Sequence, residues 1–152
     1  YSGMHTLDIL RLEKKFLHWG HDITSENNPF ESGLGFAVNF KKKENFIGRE
    51  ELEKLRNKPL KKKLELFSLK NRFKPGNPLL LHDEPIYKDN KIVGHSTSSN
   101  YSFCYNKNIF LAYIGGDIKD NESLYIAVEV ETHAIKLEKA PLHDPTSKLM
   151  RG

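Results

Sequence analysis

Residues 82–103 read HDEPIYKDNKIVGHSTSSNYSF. Ile86-Tyr87 and the segment from Lys91 to Gly94 flank Asp89-Asn90, and two turn-prone residues between β-prone runs mark a tight hairpin. Val93 to Phe103 continues as a long strand rich in Ser and Thr. Outward from the hairpin the period stays at two. Upstream, Leu64, Leu66, Phe67 and Leu69 make one strand, and NRFKPGNP (71–78) is a loop. Downstream, Ile109 to Ile114 is strongly apolar and Leu124, Ile126, Val128 and Val130 alternate, while Ala134 to Leu137 is expected to pair back across a turn at Thr132. Six or so strands at roughly 8–12-residue spacing predict a mainly β fold, an antiparallel barrel or sandwich, over residues 59–152.

Residues 1–58 read as α-rich. From Leu7 to Trp19, Ile9, Leu12, Phe16 and Trp19 recur at helical spacing, with Thr6 placed to cap and Gly20 to terminate. At about 100° per residue, Glu13 falls inside the apolar arc and Arg11 on the opposite face. A carboxylate in an apolar arc is costly without a partner. Glu13 therefore either ties the helix to something or snorkels at its edge, and Arg11 either addresses a surface elsewhere or is solvated. A helical turn around Phe30 to Ser32, a strand over Leu34 to Phe40, and a surface helix over Arg49 to Asn57 with Glu50 and Lys54 at i,i+4 complete the expectation.

The composition narrows the function. Hydrophobic residues at 38% of 152 supply a core, and no stretch reaches the roughly 18–20 apolar residues of a spanning helix. One cysteine makes no internal disulfide, and no leader pattern opens the chain, so the cytoplasm is the expected location. The net charge of +4 comes mostly from lysine, with five arginines among 24 basic residues, and the runs Lys41–Lys43 and Lys61–Lys63 read as solvated segments. Seven histidines lack ligand spacing and a cysteine cluster, so no metal site is assigned. The G-x-S-x-G elbow is missing, and His95-Ser96-Thr97-Ser98-Ser99 reads as hydroxyls bonding across strands. Gly115-Gly116-Asp117 closes a strand rather than opening a helix. Cys104 reads as a packed thiol, and the aromatics of Tyr101 to Tyr105 either stack bases or alternate between core and surface.

Longer strings carry more. LRLEKKFLHWGHDIT (10–24), NPFESGLGFAV (28–38) and NFIGREEL (45–52), with NIFLAYI (108–114) and APLHDPTSKLMRG (140–152), occur in this order. The chain resembles the glycine cleavage T-protein family of folate-dependent aminomethyltransferases, and most of all the C-terminal region of dimethylglycine and sarcosine dehydrogenases. The resemblance implies a C-terminal β-barrel preceded by the last helical part of the folate-binding region. It also implies that Arg11, matching the arginine of the family's L-R-x-E helix, lines the tetrahydrofolate pocket, while Trp19, Gly20 and Asp22 shape the helix end and Glu31 pairs within the fold. No catalytic residue is assigned, since the acidic residue that positions the reacting nitrogen belongs to sequence before Tyr1, as does any flavin-binding motif. The chain is accordingly expected to be the inactive-by-itself back part of a longer enzyme. FAD is expected only in a dehydrogenase-type parent; the partners are the upstream part of the same chain and an N-methyl glycine or lipoyl-carried aminomethyl substrate. An RNA-binding barrel and a purely structural lid are the alternatives.

Overall fold

The structure, a computed structural model, describes residues 3–71 and 80–151. The expected loop over 71–78 lies, apart from Asn71, outside the described residues. Six antiparallel strands, β1 (Lys62–Leu69), β2 (Pro85–Lys88), β3 (Lys91–Ser102), β4 (Lys107–Gly115), β5 (Tyr125–Val128) and β6 (Glu131–Leu137), close a barrel in the order β1-β4-β3-β2-β5-β6. The hairpin at Asp89-Asn90 forms as expected. Both residues take positive φ, 48° and 60°, as the turn whose twist matches two paired strands requires.

Burial explains the apolar β4 run. Phe110, Ala112 and Ile114 belong to the main core with Phe67, Ile86 and Ile126. Ile109, Leu111 and Tyr113 belong to a second core with Leu64, Leu66 and Leu12. Leu12 lies in the helix α1 (Met4–Glu13), which packs on β3 and β4. Strands covered on both faces lose the polar half of the alternation.

Several expected boundaries move. Helix α1 starts at a Gly3 cap and ends six residues before Trp19. Lys15 takes φ 57°, the Phe16 N–H reaches the Arg11 carbonyl at 2.7 Å and the Lys15 N–H reaches that of Leu12 at 3.0 Å. These two bonds form a Schellman motif on a non-glycine residue, which leaves Phe16 and Trp19 exposed rather than on a helix face. Gly35–Ala37 is a single 3-10 turn, and no strand forms over Leu34 to Phe40. The last hairpin turns at Glu129-Val130, so Val130 is exposed and Thr132 pairs with Ala127 inside the ladder. Helix α2 (Arg49–Arg56) forms, but its ion pairs are Arg49–Glu53 and Glu51–Lys54 rather than Glu50–Lys54. The Lys61–Lys63 run enters β1: the Lys62 ammonium sits 4.5 Å from the Tyr113 ring centre and Lys63 donates to the Ile118 carbonyl at 2.7 Å. Cys104 is exposed in the turn after β3, not packed, because β3 ends at Ser102.

Candidate functional site

Glu13 is the anchor that holds α1 on the barrel. It is 3% exposed, its carboxylate accepts the Ser102 hydroxyl of β3 at 2.6 Å, and its carbonyl accepts the His143 N–H at 2.9 Å. The next residue, Lys14, pairs with Asp144 at 2.9 Å, which closes the C-terminal segment over the helix end. Close pairing with Lys14 holds the Asp144 carboxyl below its ordinary range.

On the neighbouring face Arg11 is not free. Its Nε donates to Asp8 at 3.0 Å, its Nη1 to Asp22 at 2.7 Å and its Nη2 to Ser98 at 2.8 Å. The Phe16 carbonyl lies 3.4 Å from Nη1. The sequence left Asp22 as a residue that shapes the helix end, whereas the fold makes it a hub. It is 1% exposed and receives Arg11 and the His18 N–H on one oxygen and the Thr97 hydroxyl, at 2.6 Å, on the other. The turn that carries it depends on Gly20, whose φ of 88° lets its N–H reach the Ile23 carbonyl at 2.8 Å.

The hydroxyl run of β3 supplies the opposite wall; one bond crosses to the neighbouring strand as expected, from the Thr97 hydroxyl to the Leu111 carbonyl of β4 at 3.4 Å, and the others go to other segments. Ser96 donates to Leu81 O at 2.6 Å and accepts from the Glu84 N–H, and Ser99 donates to the Leu80 carbonyl. Opposite β4 the register slips by one between Ser96 and Ser98, a β-bulge with Thr97 as the extra residue.

These elements border a cleft of about 370 Å³ that contains Arg11 and Asp8. Met4, Leu80 and Leu81 contribute apolar surface, and His5, His18, His21 and His82 contribute imidazoles. Among the described residues no group of three or more His, Cys, Asp or Glu is arranged to hold a metal ion. Glu31 is buried; its carbonyl takes the Leu64 N–H at 2.8 Å, and its neighbour Ser32 bonds the Tyr113 hydroxyl at 3.2 Å. Burial pushes the Tyr113 phenol up, with the Ser32 bond opposing and the carboxylates of Glu31 and Asp22 adding to it.

Fold and site together define a closed antiparallel barrel with a helix sealed to its outside and a polar cleft at their junction. The chain belongs to the glycine cleavage T-protein family: its C-terminal barrel domain matches residues 62–144, and the GCVT N-terminal domain matches residues 1–42. Human mitochondrial dimethylglycine dehydrogenase is 35% identical over 114 residues, 74% of this chain and 12% of the relative. An aminomethyltransferase of Thermotoga neapolitana is 33% identical over 138 residues, 89% of this chain and 36% of the relative. A 4-methylaminobutanoate oxidase (formaldehyde-forming) of Paenarthrobacter nicotinovorans is 28% identical over 99% of this chain and 18% of its own length. The crystal structure of the glycine cleavage system aminomethyltransferase T from Bartonella henselae superposes with a TM-score of 0.77 at 19% identity, covering 91% of this chain and 38% of that one, which establishes the shared fold. The chain thus spans roughly a third or less of the relatives it matches. No helix among the described residues is long and apolar enough to cross a membrane.

Proposed function

We propose that this chain is the C-terminal part of a folate-dependent one-carbon transfer enzyme that passes a methylene group to tetrahydrofolate. The observation that carries the reading is the pair of family matches in chain order, the N-terminal domain ending at residue 42 and the barrel starting at residue 62. On this reading residues 1–58 close the folate-binding region and residues 59–152 form the barrel. The parent is aminomethyltransferase-like or resembles a dimethylglycine or sarcosine dehydrogenase, with FAD only in the second case. The donor is a lipoyl-carried aminomethyl group or an N-methyl glycine, and the chain by itself is inactive. The exposed apolar side chains Met4, Leu7 and Leu10, three residues apart along α1, support the upstream part of the same chain as the partner, since contiguous exposed apolar surface marks an interaction site.

The cleft residues fit tetrahydrofolate. Met4, Leu80 and Leu81 offer apolar contact for a planar ring, and among the described residues one of the five Arg11 N–H donors has no protein partner. Asp8 and Asp22 together outweigh the Arg11 charge, so the remaining donor suits a neutral acceptor on the ring better than the carboxylated tail. Tetrahydrofolate, when bound, supplies the nitrogens that accept the one-carbon unit, and the protein contributes by holding it close to the donor.

The test is calorimetric titration of tetrahydrofolate into the full-length protein and its Arg11→Ala variant. Loss of one hydrogen bond from a charged donor is worth about 1.5–3 kcal/mol, roughly tenfold or more in affinity. Unchanged affinity would overturn the assignment of Arg11 and favour a purely structural lid, a reading that the exposed α1 face also supports.

A further inference from the structure

We propose that Asp22 is the positioning residue for the Arg11 contact, acting with the bulged Thr97 to fix the plane of the guanidinium and thereby the direction of its one uncommitted N–H. The inference rests on the reading of Arg11 as a ligand contact and adds what aims it. An arginine side chain has four rotatable bonds, and lining a cleft does not by itself orient its fork. Here all three nitrogens are held from different parts of the chain: Nε by Asp8 one turn earlier, Nη1 by Asp22 in the following turn, and Nη2 by Ser98 on the barrel. Three anchors on a planar group fix both its position and its rotation.

Among these anchors Asp22 is the buried charge. Asp8 retains about a third of its side-chain exposure whereas the Asp22 side chain has none, so the Arg11–Asp22 bond is the less screened of the two. The Asp22 carboxylate is itself immobilised, because the Thr97 hydroxyl occupies its second oxygen at 2.6 Å. In a regular strand Thr97 and Ser98 would point to opposite faces of the sheet. The bulge between Ser96 and Ser98 turns both hydroxyls toward α1, so that one seats Asp22 and the other seats Arg11. A bulge that re-aims adjacent side chains beside a cleft is a designed feature of the sheet rather than a defect.

A double-mutant cycle in the full-length protein tests this, with tetrahydrofolate affinity read by calorimetry and folding by thermal unfolding. Asp22→Asn keeps the shape, and the Thr97 hydroxyl can turn to accept from the new amide, but the charge that holds the fork is gone. Affinity is expected to fall about fivefold to tenfold, the scale of one weakened charge-assisted bond. In an Arg11→Ala background the same substitution is expected to change affinity less than about twofold, because coupling vanishes when the shared partner is removed. An equal loss in both backgrounds would show a merely structural role, and no loss in the wild-type background would also overturn the inference. Arg11→Ala weakening binding while Asp22→Asn does not would overturn the positioning role and leave Arg11 as a contact. If Asp22→Asn does not fold, the Thr97 pair decides: Thr97→Val is expected to lower affinity and Thr97→Ser, which keeps the hydroxyl, to restore it. Equal affinity of the two would refute the device.

Discussion

Replacing Ser102 by alanine is expected to loosen the junction on which the cleft depends. In the native fold the Ser102 hydroxyl donates to Glu13 at 2.6 Å and accepts the Tyr105 N–H at 3.1 Å. Glu13 is nearly fully buried and Ser102 completely so. A hydrogen bond to a buried charged group contributes about 1.5–3 kcal/mol, and a stranded backbone donor adds about 1 kcal/mol. Ser102→Ala should therefore cost about 3 kcal/mol, which for a chain of this size lowers Tm by roughly 6–12 °C. Glu13→Gln keeps an acceptor opposite Ser102 and should cost about 1 kcal/mol. Urea unfolding of the two single variants and the double variant measures the coupling, expected at about 1 kcal/mol, the difference between a hydrogen bond to a carboxylate and one to a neutral amide. A Ser102→Ala loss below about 0.5 kcal/mol, or no coupling with Glu13, would refute the claim that this bond seats α1 on β3.

Two further outcomes follow from single contacts. Burial raises the Glu138 carboxyl, but the Ser68 hydroxyl and the Lys107 ammonium outweigh it and hold the group below its ordinary value. A depressed folded-state value gives stability that is present above the unfolded-state value and lost as pH falls through the folded one. Denaturant titrations from neutral pH down through the carboxylate range should thus show a shallower loss of stability for Glu138→Gln than for wild type, and parallel curves would contradict the ion-pair account. Gly116→Ala would place a Cβ 1.8 Å from the Leu60 carbonyl oxygen, a backbone clash that no side-chain rotation relieves. We expect a loss of about 2–3 kcal/mol by urea unfolding; a loss under about 0.5 kcal/mol would mean that the 59–61 connection is free to move.

Much of the barrel was legible because its signals are local. The Asp89-Asn90 hairpin, the alternation of β5 and the apolar run of β4 each depend on residues a few positions apart, and each forms. The family strings likewise carried the barrel and its helical neighbour. The errors fell where local and long-range demands diverge. Lys15 ends α1 in a left-handed conformation that sequence statistics reserve mostly for glycine, and the chain leaves the helix there in time for Asp22 to reach Arg11. Val130 continues the alternation of β5 on paper, yet the hairpin turns at that position. Glu13 could be recognised as a group in need of a partner, but Ser102 could not be identified as that partner.

What the sequence determined by itself was the alternation and turn chemistry that make six strands and a hairpin, together with the presence of a helix bearing Arg11 and Glu13. Only the tertiary structure decided what those two side chains do. Asp22 and Thr97 are 75 positions apart and Arg11 and Ser98 are 87 apart; no local propensity specifies such pairs. They meet because barrel closure sets where β3 lies under α1, and because a one-residue bulge there turns two adjacent hydroxyls to the same face.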